Sequence, residues 1–574
     1  MSDTNPLSLL REELENDDIQ IKVNAIHRFP VIMAVYSPEK IISDFIPYIQ
    51  KIIPTEEDEV LLAISEELPH FKNYLDGKQM TAVLPLFQLL LGCEETVVRE
   101  STVEGIKKLV QSFSDEQIQK DLIPMVLNIS NMEAFQWKVS ACYLIRICYP
   151  KAGKEKERLL NLYFKLCDDD TPIIKRTAAK EFGPLCLIVE KDFVKNEMIS
   201  YYKKFMGESD TVRVTILPSL IQLAKIFQDG ESQKTNLQYI INASLDKSWR
   251  VRNELANLYP QLIDYFTQSS SIDLVQPICN LIKDSETEVK TSALKALNQI
   301  ILKLPSDKIN SIIVPTIRGL NNESNKDTKS NIGLILGPIA KIIGYTQFNS
   351  NLGVMMDSLM KDENAEVRLG VAKSMYDIFL SSEGNLLSST NTLLGSMQKD
   401  TQYGIRECFY ETLAKLGTNY GLEAFKSNIE TLFFNYLNDN VASVREVGIK
   451  SLPSLIQKFG NSWLVSSLIP KLQSFLSAPK LSYLNRMCII HSISVCAEFL
   501  EPKQNNELVL PVLIKGLKDK ISNVKFYTIR LIEKIYKFLD SGSKSKIEGA
   551  VKALLSDDDA DVKYFAQKFL DSSK

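Results

Sequence analysis

The side chains that most often carry catalysis are few and widely separated in this sequence. Its 574 residues include only three histidines, His27, His70 and His491, which do not form a cluster suited to general acid–base chemistry. No Gly-rich phosphate loop, H-E-x-x-H motif or G-x-S-x-G motif is present. Acid pairs such as Asp169 and Asp170 are typical of helix caps. We therefore predict a non-enzymatic protein with no catalytic residue, metal ion or cofactor.

The chemistry that the sequence does indicate is protein recognition. Trp249 is followed by Arg250 and Arg252 in a short polar segment. A tryptophan beside guanidinium groups combines a large apolar surface with charged hydrogen-bond donors, which is typical of interface anchors. The alternative is that Trp249 merely covers the core.

Composition narrows the partners and the compartment. Lys and Arg number 67 against 71 Asp and Glu, so no overall positive field draws the chain to nucleic acid. The nine cysteines are scattered and form no C-x-x-C pair, which favours buried thiols in a reducing compartment. The segment 1–10 lacks signal-peptide character, and no apolar run approaches the roughly 20 residues that span a bilayer. We expect a cytosolic location, with a nuclear one also compatible, and no membrane insertion.

The elements that must position these residues follow from an internal repeat. A basic residue, usually preceded by Val or Ile, recurs every 37 to 41 residues along the chain. We call these fifteen places, of which one is a leucine, the repeat positions: Lys22, Leu61, Arg99, Lys138, Lys175, Arg213, Arg252, Lys290, Lys329, Arg368, Arg406, Arg445, Arg486, Lys525 and Lys563.

Each repeat predicts two helices. An acid lies six residues before the repeat position in nine repeats, where it can cap the second helix. Val367, Val371 and Met375 recur at helical spacing and predict the buried face of one such helix. A repeated base can also pair with an acid of its own or the adjacent turn and form a ladder that aligns repeats, which is our interpretation of most of these bases.

A proline marks the first helix in many repeats. Apolar residues continue on both sides of it, so we expect bent helices without a break. The prolines in this position are Pro47, Pro85, Pro124, Pro315 and Pro511, with Pro277 and Pro470 slightly out of step. We predict an all-α superhelix of about fifteen two-helix repeats, continuous over residues 1–574.

The repeat length, the proline and the Asp…Val-Arg pattern resemble the HEAT repeat. Several short motifs are more specific: Asp58-Glu-Val-Leu-Leu-Ala63, Glu94-Glu-Thr-Val-Val-Arg99, Asp169-Asp-Thr-Pro172, Asp246-Lys-Ser-Trp-Arg-Val-Arg252, Tyr483-Leu-Asn-Arg-Met487 and Asp561-Val-Lys-Tyr-Phe-Ala-Gln567. Together, across practically the whole chain, they resemble the scaffolding A subunits of protein phosphatase 2A.

The resemblance implies a scaffold that holds two kinds of partner on the turns within its repeats. Residues 1–310 would hold a regulatory B-type subunit, and residues 390–574 the phosphatase catalytic subunit. The implied regulatory-subunit contacts are Asp58, Glu59, Glu94, Glu95, Thr96, Pro172, Lys175, Arg176, Trp249, Arg250 and Arg252. The implied catalytic-subunit contacts are Tyr403, Arg406, Tyr483, Leu484, Arg486, Ile521, Asn523, Tyr564 and Phe565.

Three turns depart from the family pattern. Tyr403-Gly404-Ile-Arg406 stands where the family typically has Trp-Arg-Val-Arg, and Ala442 stands where a tyrosine is usual. Ala134 replaces a tryptophan, with Trp137 three positions later, so that contact is not carried over. The alternative function is a HEAT-repeat adaptor or transport receptor for other proteins, for which a long acidic insertion or irregular repeat lengths would be expected.

Overall fold

The computed structural model describes residues 6–266 and 274–572, and within them every regular element is a helix. The chain forms two compact units, Met1–Leu281 and Ile282–Lys574, which we call unit 1 and unit 2. Among the described residues, no helix is both long enough and apolar enough to cross a membrane. All nine cysteines are free thiols, and seven are buried, as the sequence predicted.

Unit 1 consists of α-helices joined by short turns, five-residue π-helices and 3₁₀ segments. The π-helices, which we call π-turns, are Ile41–Phe45, Ile118–Leu122 and Val194–Met198. The α-helices are Pro6–Leu14, Ile19–Ile26, Phe29–Val35, Pro38–Lys40, Ile46–Ile52, Asp58–Glu67, Leu84–Leu90, Thr96–Val110, Asp115–Gln117, Ile123–Ile129, Phe135–Cys148, Lys156–Cys167, Pro172–Cys186, Lys191–Phe193, Ile199–Met206, Asp210–Ile216, Ser219–Ile226, Gly230–Ser244, Trp249–Phe266 and Val275–Ile282.

Unit 2 is built in the same way. Its π-turns are Ile309–Ile313, Leu464–Leu468 and Asn505–Val509. Its α-helices are Thr287–Ile300, Ser306–Lys308, Val314–Arg318, Lys326–Ile343, Tyr345–Met360, Ala365–Leu380, Thr390–Gln398, Tyr403–Tyr420, Leu422–Asn428, Glu430–Phe433, Ala442–Trp463, Ile469–Leu476, Tyr483–Val495, Pro502–Gln504, Leu510–Leu517, Ser522–Ile535, Ser541–Ala553 and Ala560–Ser572.

The repeat positions coincide with one feature of these helices. Every one of the fifteen is the fourth residue of a helix, from Lys22 in Ile19–Ile26 to Lys563 in Ala560–Ser572. These are the second helices of the repeats, and within each unit every second helix packs against the next one along the chain. The predicted two-helix repeat, its register and its number are therefore confirmed.

Proline shapes the first helices through π-turns. A five-residue π-turn precedes the helical segment that carries Pro47, Pro124, Pro315, Pro470 or Pro511 as its second residue. Proline lacks an N–H and its ring collides with the carbonyl four residues earlier, and the wider turn relieves both problems. The chain stays helical across the junction, since the Ile46 N–H donates to the carbonyl of Ile41. The helix is not broken at proline, as predicted.

The core lies between the first and second helices of each repeat. Val367 and Val371 are fully buried and Met375 is 2% exposed, which confirms the predicted face. Helices Lys326–Ile343 and Ala365–Leu380 approach closely at Gly370, because a Cβ there would lie only 2.4 Å from the Ser330 carbonyl oxygen. The lack of a side chain at Gly370 therefore allows these two adjacent second helices to pack closely.

Candidate functional site

The bases at the repeat positions join successive turns. In ten pairs among the described residues, the base contacts a carboxylate in the turn of the next repeat, usually at 2.7–3.0 Å. The ladder predicted from the sequence is therefore confirmed, with the adjacent turn as the partner. The pairs are Lys22–Glu56, Lys138–Asp169, Lys175–Glu208, Arg213–Asp246, Lys290–Glu323, Lys329–Asp362, Arg368–Asp400, Arg406–Asp439, Arg486–Asp519 and Lys525–Asp557.

The prediction that the repeated acid caps the second helix is wrong. The acid instead closes the turn that precedes the helix. Asp439 lies two residues before the N-cap, Val441, and accepts that residue's own N–H at 2.9 Å. Its other oxygen is 2.7 Å from Nε of Arg406. The acid is too far upstream to reach the free amides of the first helical turn, so it closes the turn and binds the preceding repeat. All nine repeated acids make this turn contact.

Arginine makes one contact more than lysine can at these positions. Nη1 of Arg406 donates to the Asp400 carbonyl at 2.8 Å, while Nε and Nη2 donate to Asp439. Its planar group therefore holds its own turn and the next one at once. The Lys329 ammonium is placed only on the next acid, Asp362, at 2.8 Å.

These contacts determine the charge state of the acids. Burial alone would raise the pKa of Asp439, but hydrogen bonds from Arg406 and from the N–H of Val441 hold that pKa below its ordinary value. The pKa of Arg406 is raised, chiefly by its hydrogen bond to Asp439. Both partners therefore stay ionised at neutral pH.

Three junctions within the described parts of the two units lack such a pair: Leu61 supplies no base, and Arg99 and Arg445 reach no carboxylate. Arg99 donates to the carbonyls of Cys93 and Glu94, and Arg445 donates to the carbonyl of Asp439, but neither reaches a carboxylate. In the repeat after Arg445, the acid position is occupied by Lys480.

The first turn of each second helix separates three roles. The residue before the repeat position is usually buried, as with Ile405 at 0% exposure, and in ten repeats the repeat position itself enters the ladder. The first residue of the helix, three positions before the repeat position, is at least partly exposed in every repeat. Trp249, Tyr403 and Tyr483 all occupy this first position and are 38%, 48% and 39% exposed. The periodicity of the helix thus presents large side chains to a partner while its neighbours hold the fold.

Unit 2 carries five exposed apolar or phenolic side chains around the starts of four second helices. We call Tyr403, Tyr483, Leu484, Ile521 and Tyr564 the turn row; all five are at least 36% exposed, and Tyr564 reaches 61%. This surface is apolar but carries phenolic hydroxyls, which suits a protein interface.

Other residues predicted to bind the catalytic subunit have structural contacts. Arg406 and Arg486 are engaged in the ladder, with side chains 13% and 23% exposed. Phe565 is half-buried and stacks on Phe526 with centroids 5.5 Å apart. Asn523 is exposed.

In unit 1, the predicted contacts are more charged. The Arg250 guanidinium lies 5.5 Å from the Trp249 ring and 3.2 Å from the Asp210 carboxylate, so this pair forms an exposed, oriented patch. Arg252 donates to the carbonyl of Asp246 at 2.6 Å, and Lys175 is engaged with Glu208. The remaining predicted residues of unit 1 are exposed: Asp58, Glu59, Glu94, Glu95, Thr96, Pro172 and Arg176.

The structure adds one residue that sequence reasoning missed. Phe135 is the first residue of its helix and is 39% exposed, so it occupies the same position as Trp249. Its place three residues before Lys138 was the available signal. Ala134 is the N-cap, and Trp137 packs against Gly92, where a Cβ would overlap the indole ring. Trp137 therefore fills the fold and does not substitute for the missing turn tryptophan.

The departures in unit 2 reduce the size of the surface. Ala442 is exposed at the first position of its helix and leaves a methyl group between Tyr403 and Tyr483 along the repeats. Gly404 follows Tyr403 and adds no side chain. His27 contacts Glu67 in unit 1, and His491 contacts Tyr527 in unit 2.

Comparison with the sequences of curated proteins identifies relatives of this chain. The chain is 30% identical over 292 residues to the regulatory A subunit of protein phosphatase PP2A from Saccharomyces cerevisiae, covering 47% of this chain and 45% of the relative. It is 35% identical over 202 residues to the protein phosphatase 2A scaffold subunit of Dictyostelium discoideum, covering 35% of each. The beta isoform of the 65 kDa regulatory A subunit of serine/threonine-protein phosphatase 2A from Homo sapiens is 29% identical over 381 residues, covering 64% of this chain and 63% of the human protein.

The chain is a HEAT-repeat protein related to these A subunits. The matched segments span from about a third to just under two thirds of the relatives' lengths. A family model described as PIK3R4-like, middle domain, matches residues 348–546.

Solved structures support the fold. Kap95p in the structure with RanGDP has a TM-score of 0.55 at 13% identity, covering 100% of this chain and 80% of that one. Importin beta has a TM-score of 0.52 at 12% identity, covering 98% and 79%. At this identity the likeness bears on the HEAT-repeat architecture alone.

Proposed function

We propose that this chain is a non-catalytic scaffold that assembles a protein phosphatase 2A holoenzyme in the cytosol and nucleus. Repeats within residues 390–574 hold the catalytic subunit, and repeats within 1–310 hold a regulatory B-type subunit. The observation that carries the proposal is the turn row, an apolar and phenolic surface repeated along the second helices of unit 2. The relationship to the A subunits supplies the identity of the partners.

The geometry supports a division of labour within each turn. The ladder fixes the spacing of successive turns, because one acid closes its own turn and binds the base of the preceding repeat. Partner side chains then meet the residues of the turn row, whose separation is set by the repeats. Apolar anchors in fixed positions lose little conformational freedom on binding, which favours affinity.

The proposal is tested by recovering phosphatase activity with the purified chain from an extract of its own cells. The informative variant is Tyr483→Ala with Leu484→Ala, since both side chains are exposed and outside the ladder. A charge reversal at Arg486 would be ambiguous, because it also removes the ion pair with Asp519. A matched control is Leu302→Ala with Val354→Ala, two exposed apolar residues of unit 2 outside the turn row.

We expect the parent and the control to recover serine/threonine phosphatase activity, and the Tyr483/Leu484 variant to recover at least about tenfold less. Equal recovery by all three would refute docking at the turn row. No activity with the parent would favour the adaptor or transport-receptor function for other proteins.

A second variant addresses the regulatory B-type partner. Trp249→Ala with Arg250→Ala removes the exposed patch of unit 1 without touching a ladder pair. We expect it to lose B-type subunits, identified by mass spectrometry, while still recovering phosphatase activity. Loss of both partners together would argue against separate docking regions.

A further inference from the structure

Unit 1 contains a groove on its first helices, away from the turns discussed above. It has a volume of about 830 Å³ and lies between helix Lys156–Cys167 and the segment Lys191–Met206. No residue that lines it belongs to the start of a second helix. Its chemistry is therefore independent of the proposed phosphatase contacts.

The floor of the groove is a stack of aromatic rings. Phe164 lies parallel to Tyr201, with centroids 4.4 Å apart and planes inclined by 8°. Phe193 continues the stack on Phe164 at 6.3 Å and 19°. All three side chains are only half-buried. Partly exposed aromatic rings in register offer a flat surface and negative ring faces to a ligand.

The rim of the groove is acidic, and three of its carboxylates form no ion pair within the described ranges. Glu157, Asp192 and Glu197 are exposed, and none of them forms an ion pair with another described residue. The lining contains one base, Lys156, whose ammonium is engaged by Glu190 at 2.8 Å. The rim therefore carries three carboxylates that form no ion pair in the described part of the chain, beside the aromatic floor.

The chain's own lysines show how this surface accommodates a cation. The Lys156 ammonium lies 4.9 Å from the centre of the Tyr149 ring while it contacts Glu190. The Lys204 ammonium lies 4.2 Å from the Tyr201 ring centre and 3.1 Å from Asp168. In both cases, a lysine of the chain thus contacts one ring that lines the groove and one carboxylate.

We propose that this groove binds a basic segment of a partner protein, with an arginine or lysine side chain against Phe193 and the rim carboxylates. The same pairing of ring and carboxylate that holds Lys156 and Lys204 would hold the incoming cation. An anionic ligand would meet like charge at the rim. A metal ion is a poor alternative, because no group of three or more His, Cys, Asp or Glu suited to a metal occurs among the described residues.

The test measures binding of a fluorescein-labelled hexa-arginine peptide to the full chain by fluorescence anisotropy at physiological ionic strength. The groove variant carries Glu157→Gln, Asp192→Asn and Glu197→Gln. The control variant carries Glu363→Gln, Glu366→Gln and Glu423→Gln, which makes the same change in net charge with acids of unit 2 that lie outside the groove. We expect about tenfold weaker binding in the groove variant and at most a twofold change in the control.

A benzophenone-bearing form of the peptide locates the site. We expect its cross-links to fall on segments 156–167 and 191–206, and to decrease in the groove variant. Equal weakening in both charge variants, or cross-links spread over other helices, would reduce the effect to net charge and overturn the proposal.

The aromatic contribution is tested separately with Phe193→Leu, which retains an apolar side chain at a half-buried position. We expect about threefold weaker hexa-arginine binding with an unchanged circular dichroism spectrum. Unchanged affinity would contradict a role for the ring face.

Discussion

Two junctions on either side of helix Ala442–Trp463 differ in how their turns are joined. Before this helix, Arg406 bonds both its own turn and Asp439 of the next. After it, Arg445 donates to its own turn through the Asp439 carbonyl but reaches no carboxylate, and Lys480 stands where the acid would be. An arginine at the repeat position is thus sufficient to hold its own turn, whereas an ion pair between repeats also requires the acid of the following turn.

The largest effect should come from breaking the complete junction. Arg406→Ala removes the hydrogen bonds to Asp439 and leaves that acid, 8% exposed, without its partner. We expect a loss of about 2–3 kcal/mol in local stability. Hydrogen–deuterium exchange over helices Tyr403–Tyr420 and Ala442–Trp463 measures it, since repeat proteins open locally. A loss below that of Arg445→Ala would contradict the assignment.

Arg445→Ala is the matched change at the incomplete junction. It removes a bond to a backbone carbonyl and strands no carboxylate partner in the next turn, so we expect a loss of about 1 kcal/mol. The same exchange measurement over helices Ala442–Trp463 and Tyr483–Val495 checks it. Equal losses for Arg406→Ala and Arg445→Ala would show that the inter-repeat ion pair contributes nothing measurable.

Acid should reduce the difference between the two variants. The folded-state pKa of Asp439 is lowered, so its stabilising contribution is complete above the pKa of the unfolded chain and is lost as pH falls through the folded value. We expect the Arg406→Ala penalty to be constant from about pH 7 to pH 5 and to shrink below about pH 4. Urea unfolding, followed by Trp463 fluorescence with Trp137 and Trp249 replaced by Phe, measures this trend. A penalty that grows below pH 4 would have the wrong sign.

The smallest expected effect is a repair of the incomplete junction. Lys480→Asp places an acid six residues before Arg486, in a residue whose φ of 63° suits aspartate. We expect a gain of less than about 1 kcal/mol in exchange protection of helix Tyr483–Val495. Lys480→Asn is the control, because it keeps the backbone preference without the charge. A gain of equal size for both would assign the effect to the backbone.

The regular parts of this fold could be predicted from the sequence because the same residue pattern recurs in each repeat. The base, the Val or Ile before it and the acid six residues earlier identified the second helices and the ladder, as the contact between Arg406 and Asp439 shows. The bond from Asp439 to the Val441 amide was not predicted, because it depends on turn geometry that residue types alone leave open.

The candidate site could be predicted only in part, for a similar reason. Trp249 was found from its chemistry beside two arginines and from the family resemblance, and Tyr403 and Tyr483 were found from the resemblance, whereas Phe135 lies in no matching motif and was missed. Its exposure follows from its place at the first residue of the helix, three before Lys138. Conversely, the resemblance predicts that Phe565 lies at the binding surface, but Phe565 stacks on Phe526 of the preceding repeat. The local sequence around Phe565 does not reveal this contact, because it joins two helices far apart in sequence.

The central claim is that the turn row of unit 2 is the docking surface for the phosphatase catalytic subunit. Hydroxyl-radical footprinting of the full chain, alone and with purified catalytic subunit, tests it without mutation. We predict protection of Tyr403, Tyr483, Leu484, Ile521 and Tyr564, with Leu302 and Val354 unchanged as internal references. Binding that leaves the turn row as reactive as in the free chain, or that protects Leu302 and Val354 instead, would contradict the account.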